Sequence, residues 1–122
     1  MNTASLSKGT GRLKVEISAQ WIGEDLVACI SNKGGHLGAV AVADYSREEN
    51  RASTSVITRL GHKDDAVACS AAYKLCRQLK RPVCVIAGIH LAHITGEEIA
   101  AIVRNCDELV DSLIQQLSVG SR

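Results

Sequence analysis

From Lys63 to Ile89 the chain reads KDDAVACSAAYKLCRQLKRPVCVIAGI, and a change of period inside this stretch decides the fold. Val67, Ala71, Leu75 and Leu79 recur every fourth residue with Ala68 and Ala72 beside them, so Lys63–Lys80 reads as a helix with one apolar stripe. Pro82 lacks an N–H, ends that helix and opens a strand. Val83–Ile89 is apolar throughout and belongs in the centre of a sheet. Downstream, Thr95-Gly96-Glu97-Glu98 fits a capping box: the Thr95 hydroxyl accepts from the amide three residues on, and Glu98 reaches back. The helix that follows carries Ile99, Ile102, Cys106, Leu109, Val110, Leu113 and Leu117 on one stripe, with Gly120 past its end. That stripe is either core or a subunit seam.

Upstream the period is two. Leu13, Val15, Ile17, Ala19 and Trp21 alternate with Lys14, Glu16, Ser18 and Gln20, a strand with one wet side. Gly23-Glu24-Asp25 turns into a second strand over Leu26–Ile30, and Asn32-Lys33-Gly34-Gly35 breaks it. A third strand runs over Leu37–Tyr45, and after a charged loop at Arg47–Arg51 a fourth covers Ala52–Thr58. Short links between these four favour an antiparallel meander. The expected architecture is α+β: a mainly antiparallel sheet of about five to six strands, in the order β-β-β-β-α-β-α, with two helices packed on it. Residues 1–122 are expected to form a single domain with an ordered core over about 12–118.

Composition narrows the function classes. The 122 residues are enough for one core without staples. The only aromatics are Trp21, Tyr45 and Tyr73, too few for a base-stacking module, and a net charge of +1 gives no footprint for a polyanion. Nucleic acid is not an expected partner. The longest apolar runs, Leu37–Ala43 and Val83–Ile89, are far short of a membrane span, and the N-terminus shows no signal-peptide core. With no Cys-x-x-Cys pair, the five cysteines read as reduced thiols, so the expected location is cytoplasmic.

Three segments are more specific than a core requires. Gly34, Gly35 and His36 precede a strand of small residues; they form either an anion-binding nest or a glycine-rich hairpin packed closely under a helix. Thr54 and Ser55 lie on a strand that feeds a helix N-terminus, where His62 and Lys63 would add donors for a phosphate. Asp64 and Asp65 complement the helix dipole themselves, so the same segment also reads as a well-capped helix with Lys63 in solvent. His90 sits at the exit of the central strand, where sheets often hold ligands. His-x-x-His at His90 and His93, with His36 and His62, is a weak metal pattern; a His bonded to a loop carbonyl is the commoner outcome, and no metal is expected. No activated nucleophile or paired acid and base can be read, so no enzyme activity is expected.

The same three segments, GGHLGAVAVA at 34–43, RASTSVITRLGHKDD at 51–65 and AGIHLAHITGEEI at 87–99, resemble the bacterial LpdD-like prenylated-flavin chaperones. In fold, that family looks like the third-type proteasome-assembly chaperones of eukaryotes. The likeness spans about Leu13 to Leu117; one departure is Leu60, where Pro-Gly-His would be expected. The resemblance implies a non-enzymatic, homodimeric protein that binds prenylated FMN (or FMN) and assists a UbiD-type decarboxylase. From local chemistry the cofactor-binding residues would be Gly34, Gly35, His36, Thr54, Ser55, His62, Lys63 and His90. The alternative is a homodimeric protein-assembly chaperone with no small-molecule ligand.

Overall fold

The computed structural model describes residues 3–59 and 64–119. Six strands, β1 (Thr3–Lys8), β2 (Val15–Ile22), β3 (Asp25–Ser31), β4 (Ala39–Ser46), β5 (Arg51–Thr58) and β6 (Val83–Gly88), form one sheet in the order β1-β2-β3-β6-β4-β5. Two helices, α1 (Asp65–Leu79) and α2 (Gly96–Val119), complete the fold, with a single 3-10 turn at Gly11–Leu13. All neighbouring strands are antiparallel except β3 and β6, so the α+β expectation holds. No described helix is long and apolar enough to cross a membrane.

The period-two reading is met over β2, where Val15, Ile17, Ala19 and Trp21 are buried while Glu16, Ser18, Gln20 and Ile22 face outward; Leu13, expected in the same strand, lies in the 3-10 turn before it. A one-residue slip would exchange these sets, so the pattern fixes the register with β3. The two-residue link led by Gly23, at φ +60°, supplies the left-handed start that such a hairpin needs. Across the sheet the inward row runs Ala19, Ala28, Val85, Ala41. Its small side chains let α1 lie close through Ala68, Ala71 and Ala72, and Leu75 fills the seam. α1 covers β4, β5 and β6, while α2 packs on α1, β1 and β2, so both helices occupy one face of the sheet.

Local chemistry terminates the helices as expected. α1 ends when Lys80 turns left-handed at φ +58°, its N–H still bonding Cys76 O at 2.7 Å, and Arg81-Pro82 then forbids continuation. At α2 the capping box is complete: Glu98 N–H donates to Thr95 Oγ1 at 3.1 Å, and Thr95 N–H donates to Glu98 Oε1 at 3.0 Å. Arg12 closes over it with Nε on Glu98 Oε2 at 2.8 Å. That ion pair, helped by the capping amide, holds the Glu98 carboxyl down at about 2.

Two features depart from the reading above. The segment Thr3–Lys8, which precedes the expected ordered core, is an edge strand paired with β2. Its only apolar residues, Ala4 and Leu6, are too few to announce a strand, and pairing with β2 supplies what local preference lacks. The four-strand meander is interrupted as well. β6 lies between β3 and β4, parallel to the first and antiparallel to the second. A strand apolar on both faces gains most from a central place, and the link over residues 32–38 is long enough to cross its end.

Candidate functional site

At one end of the sheet the chain converges from four directions. β3 and β6 finish side by side at Ser31 and Gly88, β4 starts at Ala39 opposite Ala87 and Thr58, and α1 begins at Asp65. The link 32–38, the link 89–95, Arg59 and Asp64 therefore meet beyond the carboxyl ends of the parallel pair, where sheets of this kind place ligands.

Two buried polar side chains hold these links together. Asn32 clamps the backbone of His90 from both sides: Nδ2 donates to His90 O at 2.9 Å, and Oδ1 accepts from His90 N–H at 3.0 Å. Asp64, 8% exposed, accepts the Ile89 N–H on Oδ2 at 3.3 Å. The glycines serve close chain crossing. A Cβ on Gly35 would lie 2.0 Å from Gly88 O, and one on Gly38 would lie 1.8 Å from Asp64 Oδ2. Gly38 N–H donates to Ala87 O at 2.9 Å, which ties the start of β4 to the end of β6. Of the two sequence readings of the glycine loop, close packing accounts for Gly35 and Gly38, whereas Gly34, at φ +87°, faces open space.

What remains on the surface is cationic and flat. His36 and His90 are exposed, and their rings stack with centroids 5.7 Å apart and planes 29° from parallel. Arg59 is anchored to the link that carries His36, its N–H donating to Gly38 O and its Nη1 to Leu37 O, both at 2.8 Å. Lys33 and Leu37 are exposed on the same link. Donors of positive charge beside ring faces suit a planar, anionic molecule, and a guanidinium can grip phosphate oxygens in pairs.

The structure brings Gly34, Gly35, His36 and His90 together as one surface. It does not bring Thr54 and Ser55 there. They lie mid-strand on β5, opposite Ala43 and Val42, and because successive side chains alternate they face opposite sides of the sheet. Thr54 Oγ1 is buried on the helix side without a hydrogen-bond partner among the described residues. His62 and Lys63 lie outside the described residues. Sequence reasoning passed over Asn32, taken there as a strand breaker, and Arg59, whose one signal is its place inside the 51–65 segment.

Elsewhere, an open groove of about 560 Å³ runs between α1 and α2 and is lined chiefly by Ala66, Val67, Ala71, Ala100, Val103 and Val110, with Arg104 and Asp107 also contributing. Two of the thiols, Cys76 and Cys106, are not poised for chemistry. Burial, then the charge of Asp44, pushes Cys76 up to about 11; burial, then Asp64 and Asp107, pushes Cys106 up to about 12. Among the described residues no three His, Cys, Asp or Glu side chains are grouped to hold a metal ion.

Comparison with known proteins adds two findings. The model of the prenylated flavin chaperone LpdD-like domain matches residues 9–118. A chain from the crystal structure of a chaperone complex for yeast 20S proteasome assembly superposes with a TM-score of 0.57. That match is 16% identical and covers 93% of this chain and 99% of the other, a likeness of fold. No curated protein sequence matches the chain.

Proposed function

The chain belongs to the prenylated flavin chaperone LpdD-like family, and from that premise we propose that it binds prenylated FMN at the loop cluster and delivers it to a UbiD-type decarboxylase. The observation that carries this reading is the convergence of Arg59, His36 and His90 at the end of the β3/β6 pair. Arg59 and Lys33 would hold the phosphate, with His62 and Lys63 as further donors from the segment just before Asp64. The His36–His90 pair would lie against the ring system. Gly34 would contribute its open face, and Gly35 would keep the link pressed onto β6 so that both imidazoles point outward. Thr54 and Ser55 have no part in this version of the site.

The cofactor would do its chemistry in the client enzyme; this chain would bind, orient and release it without turnover. Buried Asp64 bears on the charge balance. Its carboxylate accepts from the Ile89 amide beside Gly38, and its charge sits at the N-terminal end of α1. The phosphate is better placed on the Arg59 side than on the helix axis.

The test is a flavin-fluorescence titration with prenylated FMN and its dephosphorylated form, on wild type and Arg59→Glu. The reading expects wild type to prefer the phosphorylated form and the variant to lose at least about 10-fold in affinity for that form alone. Equal losses for both forms remove Arg59 from the phosphate role, and no binding of either form refutes the flavin reading. In that case the fold likeness to a proteasome-assembly chaperone favours the second reading, a protein-assembly chaperone with no small ligand.

A further inference from the structure

The two edges of the sheet are not alike. β1 is short and polar and ends at Lys8, whose ammonium pairs with Glu108 on α2 at 3.2 Å. A lysine on an edge strand discourages further pairing. β5, at the other edge, has no such guard. Its eight residues pair with β4 in unbroken register from Arg51↔Ser46 to Thr58↔Ala39, with no bulge and no proline. The stretch Ala52–Thr58 carries no charge, and Thr54, Val56, Ile57 and Thr58 are β-branched. Among the described residues no strand lies on the outer side of β5. Arg59 N–H donates to Gly38 O, and this bond sets the alternation along the ladder. Ser53, Ser55 and Ile57 turn their main-chain groups to β4. Ala52, Thr54, Val56 and Thr58 therefore present N–H and C=O outward, over about 20 Å of open edge. Cys69 and Tyr73 lie on the flank of α1 opposite Val67 and Lys74, which face α2, and so stand over this edge.

We propose that β5 is a strand-addition site, where an extended segment of a different protein lies along the open edge beneath Cys69 and Tyr73 and continues the sheet. The main chain dictates the conformation of the occupant. Only an extended backbone offers acceptors and donors at the spacing of the outward groups of Ala52, Thr54, Val56 and Thr58. Charge dictates its ends. The open stretch is bounded by two arginines, Arg51 and Arg59, about 26 Å apart along the strand. A second copy of this chain is a poor occupant for that reason. Antiparallel pairing in full register sets the Arg51 end of each copy against the Arg59 end of the other, and parallel pairing sets each arginine against its own like. A segment with an uncharged, β-branched middle and a carboxylate at each end meets both arginines with opposite charge. Arg51 is free to take part, because its bond to Glu49 joins two exposed side chains, 70% and 62% accessible, and such a pair is weak. The inference rests on the sheet edge and is tested without flavin.

The probe is a fluorescein-labelled peptide, Glu-Thr-Val-Thr-Val-Thr-Val-Thr-Glu, titrated by fluorescence anisotropy into the full chain, wild type, Thr54→Pro and Val56→Pro. Each substitution removes one outward N–H and leaves the ladder to β4 whole, since proline is tolerated where an edge N–H faces solvent. Circular dichroism verifies folding. Wild type is expected to bind with a Kd of about 100 µM or tighter, and each proline variant at least about 10-fold more weakly. The same peptide with lysines in place of both glutamates should bind wild type at least about 5-fold more weakly. Hydrogen exchange gives a second readout that needs no substitution. In the free chain the amides of Ala52, Thr54, Val56 and Thr58 should exchange at least about 10-fold faster than those of Ser53, Ser55 and Ile57, and the glutamate peptide should slow the first set alone. No binding to wild type, equal binding to the proline variants, no preference for the glutamate peptide, or outward amides already protected in the free chain would each overturn the inference. So would a sedimentation experiment in which Val56→Pro splits a contact between two copies, because a second copy would then be what covers the edge.

Discussion

Replacing Asn32 by Ala removes the two hydrogen bonds that fasten His90 to the end of β3. Each is a neutral bond worth about 1 kcal/mol net, and the side chain that makes them is only 7% exposed. The expected cost is therefore about 2 kcal/mol, rising toward about 4 if water cannot reach the bared His90 groups. At about 2.1 cal/mol/K per residue, 122 residues unfold with about 0.26 kcal/mol/K, so Tm falls by about 8 °C. Thermal unfolding followed by circular dichroism reads this directly. Hydrogen exchange at the His90 amide reads the local part, and that amide should lose most of its protection. Asn32→Asp separates donor from acceptor. It keeps an acceptor for His90 N–H but turns a carboxylate oxygen toward His90 O, so it should be as damaging at neutral pH and partly recover in acid, where the protonated carboxyl can donate again. A Tm within about 2 °C of wild type, with the His90 amide still protected, would refute the idea that Asn32 holds the loop.

Gly35→Ala places a Cβ 2.0 Å from Gly88 O, between two backbones that cannot both yield, and should cost about 2–3 kcal/mol in urea unfolding. Gly34→Ala meets open space and should cost only about 1 kcal/mol, from its φ of +87°. Because the folded Glu98 carboxyl titrates at about 2 instead of its ordinary 4.5, its contribution is present above 4.5 and is lost as pH falls toward 2. Urea midpoints of wild type and Glu98→Gln should therefore converge through that window; parallel curves would contradict the Arg12 pairing. Leu113→Ala, at a fully buried site on α2, should cost about 3 kcal/mol and shift Tm by about 12 °C. Thiol labelling at pH 8 should leave Cys76 and Cys106 untouched in the native state, and their modification at the rate of exposed thiols would contradict their burial.

Much of this architecture can be read without coordinates because it is local. The helix stripe of α1, the stop at Lys80 and Pro82, the capping box at Thr95 and the alternation in β2 each depend on residues within a few positions of one another. The loop cluster is only partly legible. Gly34, Gly35, His36 and His90 stand out as residue types, whereas Asn32 looks like an ordinary breaker until it is seen clamping His90, 58 residues away. Thr54 and Ser55 are adjacent in sequence and for that reason face opposite sides of the sheet, a consequence of the strand's own period.

The amino-acid sequence by itself determined the strands and helices between residues 15 and 117, the end of α1 and the start of α2, the α+β class and the family, since short-range patterning and capping carry that information. Only the tertiary structure decided that β6 inserts between β3 and β4, that the polar segment Thr3–Lys8 becomes an edge strand, and that Arg59 bonds the link that carries His36. Those outcomes depend on which distant strands pair, and pairing is won by burial summed over the whole sheet, a quantity that no local window contains.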